Sequence, residues 1–167
     1  MVVCILFVGT FYLINNYTSA QTSSSTDAIA IRILANPDHL SAFDWYKKQG
    51  FKGAPQSLTV DGYEAVRDGR TVYVNVANII TGATSNRLYT NIYLISYNQQ
   101  AEKVTLDIFS QILSFWKFNT NITGTGHCRN NSVTACTKDD ECALGDFCDS
   151  LKARTIRDVK RLSDITY

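Results

Sequence analysis

Little in this sequence points to a chemical reaction. It contains only two histidines, His39 and His127, and 16 basic residues against 15 acidic ones, for a net charge of +1. So balanced a chain has no field to draw nucleic acid or a strongly acidic partner, and no nucleic-acid partner is expected. Nine tyrosines, eight phenylalanines and two tryptophans are therefore read as sheet-surface packing rather than as a base-stacking platform. No serine or cysteine sits in a recognisable nucleophile motif with its base, and His39 reads as a surface residue in the first turn of a helix. Glu64 and Asp68 are a conceivable carboxylate pair, but they lie beside a turn with no general-base partner in view. No catalytic residue is assigned, no cofactor is expected, and the protein is read as non-enzymatic.

Long apolar runs are missing too. Val2 to Ile14 is nearly all apolar, including Cys4, Ile5, Leu6, Phe7, Val8, Phe11, Tyr12 and Leu13. At about 1.5 Å rise per residue, that run is too short for a hydrocarbon core of about 30 Å. No lysine or arginine precedes it, although Thr18-Ser19-Ala20 before Gln21 supplies the small residues a signal peptidase prefers. Residues 1–20 are expected to be a signal peptide or a truncated membrane anchor, and 21–27 a polar linker. The predicted location is extracytoplasmic, membrane-anchored or secreted, with the N-terminal segment as the membrane contact. Cys4 lacks the small-residue context of a lipoprotein cleavage site.

The densest pattern that is present runs from Leu58 to Asn78. Val72, Val74 and Val76 alternate with Thr71, Tyr73 and Asn75, the period of a half-buried strand. Asp68-Gly69 marks the turn of a hairpin. Upstream, Ile29, Ile31 and Ile33 alternate with Ala30 and Arg32 to predict a strand over 28–34. Asn36 is then expected to cap a helix that opens on Pro37 and runs to Gln49, with Leu40, Phe43 and Tyr46 on its inner face. A loop over 79–87 leads to another strand, 88–97, apolar on both faces. From Ala101 the period becomes helical, and Val104, Ile108, Phe109, Ile112, Leu113 and Trp116 predict a broad buried face ending near Asn119. Strand, helix, hairpin, strand, helix gives an α+β domain over 28–121: a mostly antiparallel sheet covered by two helices, with Val72, Val74 and Val76 turned toward both. Trp45, Tyr46 and Trp116 are the aromatic candidates for ligand binding in a sheet–helix groove.

Four of the five cysteines, Cys128, Cys136, Cys142 and Cys148, are separated by seven, five and five residues. In an exported chain such density predicts two disulfides stapling a module over 122–149 that cannot bury a core of its own. Three pairings are open. Zinc would want ligands two to four residues apart, and although His127 adjoins Cys128, none of these gaps is so short. Asp139, Asp140, Glu141, Asp146 and Asp149 lack the spacing of a calcium loop and read as a solvated acidic face. No metal site is assigned. Asn16, Asn121 and Asn130 each head an Asn-x-Ser/Thr triplet. From 150 onward, Leu151, Ile156, Val159, Leu162 and Ile165 form an apolar stripe on an amphipathic helix, expected to be truncated and capped by Asp149 or Ser150. A protein partner through this helix is a possibility the pattern raises.

Three resemblances add to that reading. Asn36-Pro37-Asp38-His39-Leu40-Ser41, Trp45-Tyr46-Lys47-Lys48, Val60-Asp61-Gly62-Tyr63-Glu64-Ala65 and the run Ile108 to Phe118 resemble the PsbP-like extracytoplasmic domains of bacteria. That resemblance covers 28–121. It implies a compact α+β sandwich in anchored or lipidated proteins, without an enzymatic centre and with no catalytic residue to transfer. The segment Thr137 to Cys148 resembles small cysteine modules of bacterial surface proteins, and Lys152 to Ile165 resembles the start of a pseudopilin-like helix. Together they imply a non-enzymatic module of the bacterial cell envelope or surface with a role in assembly, an appendage or adhesion. The alternative is a small-ligand or partner-binding protein that uses the sheet–helix groove.

Overall fold

The computed structural model describes residues 27–81 and 86–166; the expectations for the N-terminal apolar segment, Cys4 and Asn16 lie outside those residues. Five strands form one antiparallel sheet in the order β1-β5-β4-β3-β2. They are β1 (Ile29–Ala35), β2 (Gln56–Val60), β3 (Tyr63–Asp68), β4 (Thr71–Thr81) and β5 (Asn86–Tyr97). The fold is α+β, with three α-helices among the described residues: α1 (Ala42–Lys48), α2 (Lys103–Phe115) and the C-terminal α3 (Leu151–Ile165). A two-stranded ribbon of β6 (Gly126–Cys128) and β7 (Asn131–Cys136) stands between α2 and α3.

The predicted single hairpin is a three-stranded meander. Asp61 and Gly62 both adopt positive φ, 51° and 83°, the mirror-image turn whose twist matches that of paired strands, so β2 turns into β3 across this Asp-Gly pair, inside what was expected to be one strand of the hairpin. Asp68 is not in the second turn but pairs with Thr71 as the last residue of β3, and the loop is Gly69-Arg70. The loop expected over 79–87 is also shorter, because Ile79↔Leu88 and Ile80↔Arg87 continue the β4–β5 ladder.

Register divides the core in two. Val72, Val74 and Val76 share one cluster with Ala65, Ile95, Phe109 and Phe118, on the side covered by α2. Val66, Tyr73 and Ile92, one residue out of phase, pack against Ala42, Trp45 and Tyr46 of α1. The expectation that both early helices would meet the Val72-Val74-Val76 face is therefore corrected: α1 and α2 cover opposite faces. The cause is the polar knot at the end of β1. Asn36 is buried; its amide donates to Thr90 O, and its side chain donates to Asn75 Oδ1 at 3.1 Å and to Leu40 O at 2.8 Å. Asn75 lies on the Tyr73 side of β4, so this knot fixes the chain to that face. It also displaces the helix start. With Asn36 Oδ1 accepting from Leu40 N and His39 at φ 51°, the first turn is not helical, and Ser41, accepting from Asp44 N at 3.0 Å, is the cap.

The predicted broad face of α2 is narrower in the structure. Phe109 is buried, with Leu113 and Trp116 packed at its side, a single stripe at i, i+4, i+7. Val104 is 63% exposed and Ile108 45%. The helix ends at Phe115; Trp116 is already extended, and Phe118 enters the core from outside the helix. Helix α3 brings Val159 into the sheet core and sets Ile156 against it, while Lys160 meets Glu64 at 3.1 Å. It is thus part of the same packed body as the sheet. No helix among the described residues is long and apolar enough to cross a membrane.

Candidate functional site

The disulfide-stapled segment and the helix that follows it carry the features least explained by packing alone. Cys128 joins Cys142 and Cys136 joins Cys148, with Cα–Cα distances of 5.6 and 5.8 Å. Of the three pairings the sequence leaves open, the structure takes first with third and second with fourth. Cys128, Cys136 and Cys148 are buried together with Ala153 of α3, so the staple and the helix share a small core. Two disulfides within so short a segment belong to an oxidising, extracytoplasmic setting. The sulfurs of Cys128, Cys136 and Cys142 lie within 4.8 Å of one another, but bridged sulfurs are not the thiolates that zinc requires.

Asp140, Glu141 and Asp149 are exposed, as a solvated acidic face requires, but Asp146 is buried and Asp139 half-buried, and four of the five also accept from backbone amides of the segment. Asp139 Oδ1 accepts from Cys148 N at 3.0 Å and from Arg157. Asp146, itself buried, accepts from Asn130 N at 3.1 Å and Phe147 N at 2.8 Å. Asp149 accepts from His127 N at 2.7 Å. Glu141 accepts from the amide and hydroxyl of Thr137, and that amide lowers its carboxyl below the usual range. Asp140 pairs with Lys138 and raises that ammonium. The segment has no helix or sheet large enough to saturate its backbone, so Asp139, Glu141, Asp146 and Asp149 accept from amides that would otherwise be unpaired. Gly126 has a different necessity: a Cβ there would come within 2.5 Å of Ser150 N, so β6 can touch the start of α3 only without a side chain. Ser150, not Asp149, caps that helix, accepting from Ala153 N at 3.1 Å.

One carboxylate ties the module to the sheet. Asp61, in the β2–β3 turn with its side chain 7% exposed, lies 2.5 Å from Lys152 Nζ and 3.3 Å from Lys117 Nζ, and it accepts from Phe118 N at 2.7 Å. The exit of α2, the start of α3 and the meander turn meet at this group. The Asp-Gly pair marks a turn here, but the junction itself leaves no sequence signal, because the partners of Asp61 lie 56, 57 and 91 residues away.

The aromatic candidates do not come together. Trp45 and Tyr46 are buried on the α1 face, where they pack with Tyr73 at ring-centroid distances of 6.0 and 5.5 Å. Trp116 packs on the α2 face, 5.8 Å from Phe118, its buried Nε1 without a hydrogen-bond partner among the described residues. The sheet itself stands between them. Tyr46 donates to Asp68 Oδ2 at 2.6 Å, an acceptor that raises its phenol pKa, and in turn accepts from Gly53 N at 3.0 Å. With Asp68 engaged there and Glu64 paired to Lys160, the two carboxylates weighed for catalysis both hold elements in place.

Comparison with protein-family models, with curated proteins and with solved structures finds no match.

Proposed function

We propose that this chain is a non-enzymatic module of the bacterial cell envelope or surface, extracytoplasmic and either membrane-anchored or secreted, serving assembly, an appendage or adhesion. The observation that carries the proposal is the pair of disulfides, which staples a loop-rich segment whose buried sulfurs pack on Ala153 of α3, the helix that Lys152 ties to the β2–β3 turn. Such a staple holds irregular loops in one shape without an interior of their own, as a surface module requires. The antiparallel sheet between helices agrees with the sandwich that a PsbP-like domain implies for residues 28–121. Fractionation of cells that carry the native full-length gene product tests this reading. Recovery in the envelope or medium with the cysteines oxidised supports it. Recovery in the cytoplasm with four free thiols between 128 and 148 contradicts it, as does a hydrolytic or redox turnover above background.

A second reading, a ligand- or partner-binding protein that uses the sheet–helix groove, has one observation in its favour. On the α2 side, Ile31 and Ile33 of the edge strand β1 are 48% and 52% exposed, and Val104, Ile108 and Phe115 of α2 are open as well. Asp27, at the entry to β1, accepts from Glu102 N and Thr105 Oγ1, which turns this edge of α2 toward β1. Open apolar surface of this kind marks interaction sites. Thermal-shift screening against ligand pools tests it: stabilisation by mass action that disappears in Phe115→Glu supports a groove site, and no shift in any pool counts against it.

A further inference from the structure

A hollow of about 470 Å³ lies where the disulfide segment meets α3. Four arginines line it, Arg129, Arg154, Arg157 and Arg161, together with Asp149 and Asp158. The helix contributes Arg154, Arg157, Asp158 and Arg161 at i, i+3, i+4 and i+7, one continuous face. Arg129 comes from the β6–β7 turn, and Phe147 forms part of the wall.

These groups differ in how far they are used. Arg157 is half-buried and fixed: it donates to Asp139 Oδ1, and its guanidinium lies 5.4 Å from the centre of the Phe147 ring. Arg161 pairs with Asp158 at 2.9 Å, and Asp149 is engaged by His127 N. Arg129 and Arg154 have no hydrogen-bond or ion-pair partner among the described residues. Two unengaged guanidinium groups thus line the same concavity as a third that is held in place. Four arginines against Asp149 and Asp158 leave the lining of the hollow net positive, a field that favours an anion, and the planar fork of arginine matches the paired oxygens of a tetrahedral oxyanion.

We propose that this hollow is a binding site for one phosphate or sulfate ester, with Arg129 and Arg154 as the principal donors and Arg157 as the fixed one. The site rests on the packing of the disulfide segment against α3 and is independent of where the protein works.

Titration of the oxidised protein with inorganic phosphate and with sulfate, followed by amide NMR at constant ionic strength, tests the proposal. The amides of Arg129, Phe147, Arg154 and Arg157 are expected to shift with both anions and not with chloride. The double variant Arg129→Ala/Arg154→Ala is expected to weaken binding about tenfold or more, with Arg32→Ala on β1 as an unaffected control. Arg154→Lys, which keeps the charge and loses the fork, should bind more weakly than the parent; it also serves as the test should the double variant fail to fold. Tighter binding of galactose 6-sulfate than of inorganic sulfate would give a saccharide ester as the source. Tighter binding of phosphatidylglycerol than of phosphatidylcholine vesicles would give a lipid headgroup. Equal shifts with chloride, equal loss in Arg32→Ala, or vesicle binding without any shift by phosphate or sulfate would overturn the site and leave only a diffuse basic surface.

Discussion

Lys152 Nζ lies 2.5 Å from Asp61 Oδ2, and both side chains are largely withdrawn from solvent, at 15% and 7% exposure. The pair connects the first turn of α3 with the β2–β3 turn, and the same carboxylate also accepts from Phe118 N. Removing one member of such a pair leaves the other partner groups buried and unmatched, at a cost of about 3–5 kcal/mol. Asp61→Ala is expected to fall in that range, with an added backbone penalty because residue 61 has a φ of 51°. Asp61→Asn should cost less, since it tolerates that φ and still offers an acceptor to Phe118 N. Urea denaturation of the two variants checks this; equal losses would show that the acceptor and the turn add nothing beyond the lost charge.

Reduction should act locally. The two bridges span 14 and 12 residues, and closing loops of that length restricts the unfolded chain by about 3 kcal/mol each. The β6–β7 ribbon and the bond from Arg129 N to Phe147 O have little apolar packing beyond the cysteines themselves. Hydrogen exchange in reductant should therefore show early loss of protection over 126–148 while β4 and β5 stay protected. Simultaneous loss in both regions would mean that the staple is needed by the whole fold.

Phe109 and Val104 provide a contrast on one helix. Phe109 is 1% exposed and 5.0 Å in ring-centroid distance from Tyr97, so Phe109→Ala is expected to cost about 3–5 kcal/mol. Val104 is 63% exposed, and Val104→Ala should change stability by no more than about 0.5 kcal/mol. Thermal denaturation of the two variants distinguishes a one-stripe contact from the broad face that periodicity suggests.

Tyr63 gives the fold a sensitivity to alkali. Its hydroxyl donates to Asn119 Oδ1 at 2.5 Å, and burial, followed by the nearby charge of Asp61, pushes its phenol well above the ordinary 10.0. The folded state therefore holds this proton more tightly than the unfolded state. The contribution is complete below the unfolded value and is lost as pH rises above about 10. Urea midpoints should fall above that pH, and Tyr63→Phe should show a shallower decline; an unchanged slope would assign the effect to other groups.

How much of this was readable in advance depended on how local the cause is. Alternation placed β1, β4 and β5 and the opposite faces of Val74 and Tyr73, because a strand's period is written in consecutive residues. The pairing of Val60 with Tyr63 across Asp61-Gly62 was also written locally, as a second Asp-Gly pair and a one-residue shift of the apolar phase from Leu58 and Val60 to Tyr63 and Ala65, and reading 58–78 as one hairpin overlooked both. Apolar spacing in α2 identified Phe109 but could not show that Val104 and Ile108 would remain open, which depends on where β1 ends up. Cysteine density announced the staple, while the choice of Cys128–Cys142 and Cys136–Cys148 depends on the ribbon and on Asp139 holding Cys148 N. The Asp61 junction was illegible because its members come from separate elements; in the hollow, Arg154, Arg157 and Arg161 share one face of α3 by spacing alone, whereas Arg129 and Phe147 join them only through the fold.

Peptide mapping of the native full-length protein, alkylated before any reduction as it leaves the cell, tests the central claim most directly. An oxidised extracytoplasmic module predicts digestion fragments cross-linked as Cys128 to Cys142 and Cys136 to Cys148, with no alkylation at any of the four. Alkylation of all four cysteines would contradict it.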